Sequence, residues 1–155
     1  MTLLPPVSSR PAFSAPALPT AACQQLLQEF LDGPCDVRAA LVATADGRLI
    51  AVASRIEFEP SRIAAIGGSM LALSEACARE LGHGTCRNSL IDCELGMTVI
   101  LRVGAPQGGW ALTTIGTRGS SLGLLFNHSK QLAEQLAVVA AQSHSLTPRV
   151  SLPLA

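Results

Sequence analysis

Ala39-Ala40-Leu41-Val42-Ala43-Thr44-Ala45-Asp46-Gly47-Arg48-Leu49-Ile50-Ala51 is the stretch whose reading decides the fold. Two runs rich in Val, Ile, Leu and Ala, over 37–45 and 48–55, flank Asp46-Gly47. Asp-Gly readily adopts the two positive φ angles of a tight hairpin turn, so a pair of antiparallel strands is expected here. The first strand is apolar on both sides, with Val37, Leu41 and Ala43 on one face and Ala40 and Val42 on the other. Such a strand must be covered on both faces, which places it inside a three-layer arrangement.

On the N-terminal side, Leu26, Leu27, Phe30 and Leu31 form a helical stripe that Asp32-Gly33-Pro34 ends, and Thr20 stands where an N-cap is needed. On the C-terminal side a long helix opens at Glu59-Pro60-Ser61 and stops at Gly82-His83-Gly84, since proline suits a helix start and glycine a left-handed stop. Three further strands are expected over 85–93, 97–103 and 110–117, as a meander joined through Leu95-Gly96 and the glycine-rich segment 104–109. Met97, Val99 and Leu101 oppose Ile100, so the fourth strand is also apolar on both sides. A last helix, capped by Ser120 or Ser121, runs to about 143 with Leu122, Leu125, Phe126, Ser129, Leu132, Ala133, Leu136 and Val139 on one face. The expected order is α-ββ-α-βββ-α: an α/β fold with a five-stranded, mainly antiparallel sheet and helices on both faces.

Composition bounds the function. The 155 residues are 48% apolar and only 14% charged, with formal charge +0 and mean hydropathy +0.38. Charge near 25% is usual for a soluble domain, so part of this surface is expected to be hidden by another protein surface. Neutral charge and 3% aromatic residues argue against nucleic acid as a partner. Every apolar run is broken by Arg, Glu, Gly or Pro, so no membrane span is expected. Five cysteines (Cys23, Cys35, Cys77, Cys86 and Cys93) form no paired C-x-x-C set and read as buried thiols in a reducing cytoplasm. Residues 1–19 contain five prolines and no Lys, which suits a disordered leader and not a signal peptide. The domain is expected over 20–143, followed by a C-terminal extension over 144–155.

The central helix carries the functional expectation. At 100° per residue, Ile63, Ile66, Gly67, Met70, Ser74, Cys77 and Leu81 share a face expected to pack on the sheet. Opposite lie Ala65, Gly68, Ser69, Ala72, Ala76 and Arg79, flanked by Leu71 and Leu73, where a solvated helix would show Lys and Glu. Small residues permit close approach of a second backbone, so this face is expected to meet another copy of the chain.

These motifs together resemble the Roadblock/dynein-light-chain domain family over roughly 35–143. The resemblance rests on the hairpin with its Thr44-Ala45-Asp46-Gly47 turn, on the small-residue helix ending Ala78-Arg79-Glu80-Leu81-Gly82, and on Gly119-Ser120-Ser121-Leu122-Gly123-Leu124-Leu125 entering the last helix. It implies a homodimer whose sheets join edge to edge with the central helices paired. It also implies regulation or scaffolding of a Ras-like small GTPase, including GTPase activation in some members, with a structural adaptor in a larger complex as the alternative. The partner and dimer surface is expected at Arg62, Ala65, Gly68, Ser69, Ala72, Leu73, Ala76 and Arg79.

No chemistry of its own is expected. The only Lys, Lys130, lies in mid-helix and not in a phosphate loop, no Ser stands in G-x-S-x-G, and the three histidines form no triad. No catalytic residue, metal or cofactor is therefore assigned. Arg55, Arg62, Arg79 and Arg118 are the arginines a GTPase could meet, and none is assigned as an inserted catalytic arginine. Glu75, one turn before Arg79, is expected to pair with it.

Overall fold

The computed structural model describes residues 18–104 and 109–145. The expected leader before residue 18, the extension beyond 145 and part of the glycine-rich segment lie outside the described residues. The order is α1 (Thr20–Leu31), β1 (Val37–Thr44), β2 (Leu49–Ser54), α2 (Pro60–Glu80), β3 (Asn88–Cys93), β4 (Gly96–Val103), β5 (Trp110–Thr117) and α3 (Leu122–Ser145). The five strands form one antiparallel sheet in the order β2-β1-β5-β4-β3.

The hairpin forms where expected, with a different turn. Gly47 alone has positive φ there, at 86°, and no non-glycine residue among the described residues does. Gly47 N–H donates to Thr44 O at 2.8 Å and Thr44 N–H to Arg48 O at 2.8 Å, giving a three-residue loop whose last residue is a left-handed glycine. Thr44 explains the choice, because its hydroxyl hydrogen-bonds the Asp46 carboxylate and accepts from Arg48 N–H. That hydroxyl holds the Asp46 carboxyl below its ordinary pKa.

The register also shifts between Val37 and Ala39. The shift puts Val37 with Ala40 and Val42, whereas Leu41 and Ala43 face the other way, correcting the simple alternation. Thr20 is the first helical residue of α1 and not its cap: the Pro19 carbonyl already accepts from Cys23 N–H, and the Thr20 hydroxyl turns back to Leu18 O.

One face of the sheet is covered by α1 and α3. Cys23, Leu27 and Leu31 of α1 and Leu125, Leu132 and Leu136 of α3 pack on Val42, Val99, Leu101 and Leu112 in the larger core. One polar pair is buried there, Thr114 with Ser129 at 2.7 Å. The other face is covered by α2 alone, through Ala64 on Leu41 and Ala43 and through Leu71 on Ile100 and Ala111. Of the five thiols, Cys23 and Cys35 are buried as expected, and burial raises both, Cys23 to about 11. Cys77 and Cys93 are exposed and Cys86 half-buried, because Cys77 stands on the outer side of α2, Cys86 precedes the edge strand β3 and Cys93 ends it.

Candidate functional site

The residue sizes along α2 dictate how it sits. Its fully buried residues are Ala64, Gly67, Gly68 and Leu71, with Ile63 and Met70 half-buried against the same clusters, so the helix meets the sheet most closely through its small residues. A Cβ on Gly67 would stand 2.8 Å from Thr113 Oγ1 on β5. One on Gly68 would stand 3.1 Å from Ala45 O and 3.3 Å from Gly47 N in the hairpin turn. The turn reciprocates, since a Cβ on Gly47 would stand 2.9 Å from Ala65 Cα. These glycines allow the helix backbone to lie almost on the strands and the turn.

Of the face expected on the sheet, Gly67 is buried and Ile63 and Met70 pack half-buried, but the most buried side of the helix is turned from it toward Ala64, Gly68 and Leu71. Gly68 and Leu71, expected on or beside the outer strip, point inward; Gly68 is a packing residue against the chain's own hairpin. Ile66 and Leu81, expected inside, are 46% and 60% exposed, and Cys77 is exposed with them. The remaining expected residues do gather outside: Arg62, Ala65, Ser69, Ala72, Leu73 and Arg79 are exposed and Ala76 is half-buried. Leu73 is the most exposed large apolar residue of the helix, at 67%. The outer surface is therefore more apolar than a small-residue strip, with Ile66 and Leu73 seven residues apart on one side. That spacing, next to a Gly-Gly pair, was the signal available in the sequence for Ile66.

Electrostatics separates the arginines. Glu75 turns inward and does not pair with Arg79: its Oε2 accepts from Arg102 Nη2 at 3.2 Å and from Cys86 N–H at 2.8 Å. Arg102 Nε also donates to Cys86 O at 3.2 Å, so the pair fixes the α2–β3 connection to β4. Arg55 pairs with Asp32 at 3.4 Å and Arg118 with Asp92 at 2.9 Å, both exposed. Among the described residues Arg62 and Arg79 have no ion pair, leaving an exposed cation near each end of the helix. Arg79 also stands at the rim of a cavity of about 290 Å³ lined by Ala45, Leu71, Ala72 and Trp110.

The helix ends beside β3, an edge of the sheet. Arg102 N–H bonds Arg87 O, so by antiparallel alternation the main-chain groups of Leu90 face away from β4. Leu90 is 46% exposed. The outer side of α2 and the edge of β3 together offer an apolar surface with a free strand edge and two uncommitted cations, which suits protein binding.

Comparison with known proteins places the fold. The solved structure of MglB with a tetrameric arrangement superposes with a TM-score of 0.74 at 22% identity, covering 86% of this chain and 98% of that one. Gliding protein MglB from Thermus thermophilus gives 0.71 at 20%, with the same two coverages. A Roadblock/LC7 domain from Streptomyces avermitilis gives 0.69 at 14%, covering 76% and 97%. No curated protein matches the sequence. The family model of the Roadblock/LC7 domain matches residues 23–106, more than half of the chain, from within α1 past the end of β4. The chain belongs to the Roadblock/LC7 domain family.

Proposed function

We propose that the protein is a homodimeric regulator or scaffold of a Ras-like small GTPase in the cytoplasm, acting by binding and contributing no chemistry of its own. The observation that supports this most directly is the outer face of α2, where Ile66 and Leu73 stand exposed between the unpaired Arg62 and Arg79. Apolar side chains flanked by arginine are the composition of interface centres. The reading assigns the partner and dimer surface to Arg62, Ala65, Ser69, Ala72, Leu73, Ala76 and Arg79, adds Ile66, and removes Gly68. The second copy joins through β3, whose central main-chain groups are open, extending the sheet.

Arg62 and Arg79 anchor the partner's acidic groups. Arg62→Ala or Arg79→Ala is expected to weaken binding while leaving any stimulation of GTP hydrolysis intact at saturating protein. The deciding experiment measures GTP hydrolysis by a candidate small GTPase with and without this protein, beside binding titrations in each nucleotide state. Equal affinity for both states and an unchanged rate would remove the regulatory reading.

A structural adaptor is the second reading, and one feature favours it. On the α3 side, β3 is not covered by helix, and a groove of about 580 Å³ runs between Arg87 just before β3, Asn88 and Leu101 of the strands, and Phe126, Lys130 and Ala137 of α3. An adaptor holding a partner segment there would bind it with equal affinity whatever nucleotide a GTPase carries.

A further inference from the structure

A sheet with two free edges can grow at both, and this one treats its edges differently. In β2, Arg55 N–H bonds Arg38 O, so alternation turns the main-chain groups of Val52 outward, at the middle of the strand. Both are occupied by one side chain. Gln24 Nε2 of α1 donates to Val52 O at 2.7 Å, and Val52 N–H donates to Gln24 Oε1 at 3.4 Å. A primary amide offers the same donor and acceptor as a peptide group, so Gln24 occupies the place a neighbouring strand would take. At β3 the corresponding central residue is Leu90, and no side chain of the described residues bonds its main chain. We propose that Gln24 is an edge cap: its amide closes β2 to strand pairing, so that association through the sheet can use only β3 and stops at two copies.

The physical case is that of edge protection. An uncapped edge strand is a template for another chain. Two different self-pairing edges on one protomer would alternate without closing and build an open-ended array. Placing the cap on a helix anchored by the buried Cys23 and Leu27, one residue before and three after Gln24, fixes the amide against the strand.

The test uses the full chain with Gln24→Ala and Gln24→Glu, both at an exposed position, and Gln25→Ala as control. Hydrogen exchange at Val52 reads the cap, and sedimentation across a wide concentration range reads assembly. Loss of one net hydrogen bond corresponds to about five- to tenfold faster exchange of Val52 N–H. Species larger than the wild-type form should appear on concentrating either variant, Glu included because it has no donor for Val52 O. Unchanged Val52 exchange would overturn the proposal, and so would faster exchange with an unchanged mass distribution. The proposal rests on the homodimer reading only in naming β3 as the edge left open. If the wild type is a monomer, that reading fails, yet the cap stands should Gln24→Ala dimerise it.

Discussion

The two faces of the sheet are built on opposite plans. Under α1 and α3 the gap is filled by leucine and valine, including Leu27, Leu125, Leu132 and Leu136, and the one buried polar contact is satisfied. Under α2 the fully buried residues are Ala64, Gly67, Gly68 and Leu71, with Ile63 and Met70 half-buried at their sides, and the Thr113 hydroxyl is buried without a partner. The first face carries apolar volume, and stability with it. The second brings a helix close to the strands, so that helix has larger apolar residues left for its outer side. The difference teaches that the apolar surplus of this chain is divided between a core and an exposed outer side of α2, the surface proposed above for binding.

The comparison can be broken most severely at Leu136, which is fully buried on the α1/α3 face. Leu136→Ala is expected to cost about 2–5 kcal/mol in chemical denaturation, through lost burial and the cavity left behind. On the other face, Gly67→Ala should cost about 1–2 kcal/mol through its collision with Thr113 Oγ1, despite the lower chain entropy that alanine brings. The penalty should shrink in a Thr113→Ala background, and equal penalties in both backgrounds would show that the collision is not its source. Thr113→Val removes the unpartnered hydroxyl at nearly constant volume and should raise stability by about 1 kcal/mol. Leu73→Arg, on the outside of α2, should change stability by less than about 0.5 kcal/mol while abolishing self-association seen by sedimentation. A large loss of stability there would mean that Leu73 belongs to the monomer core.

Thiol labelling sharpens the same contrast without mutation. Cys77 and Cys93 should react readily in the native state. Cys23 should react only on unfolding, since burial both shields it and raises its pKa to about 11, leaving little thiolate at neutral pH.

Much of this was legible from residues near one another in sequence. The hairpin, the proline-started α2, its glycine stop and the entry to α3 depend on local backbone preference, and they stand within a few residues of where the sequence puts them. The errors share a cause. Thr20 reads as a cap until Pro19 is seen to hold the first acceptor, and Asp46-Gly47 reads as a two-residue turn until Thr44 recruits Asp46. Glu75 reads as a partner of Arg79 until Arg102, 27 residues on, reaches it from β4. In the candidate site, Arg62, Ala65, Ser69, Ala72, Leu73 and Arg79 were found as exposed, whereas Gly68, Ile66 and Leu81 were placed on the wrong side. Side-chain size selects a helix face reliably only when the closest packing is through large residues, and in α2 the closest approach is through Gly67 and Gly68.

By itself the sequence determined the element order, the two-sided strands and the excess of apolar over charged residues, because periodicity and turn chemistry are local and composition is a sum. Only the tertiary structure decided which face of α2 looks outward, which arginines remain unpaired and which sheet edge is closed. Each of those depends on a distance between segments far apart in the chain: the near-contact of Gly67 and Gly68 with β5 and the hairpin turn, the reach of Arg102 to Glu75, and the reach of Gln24 across 28 residues to Val52.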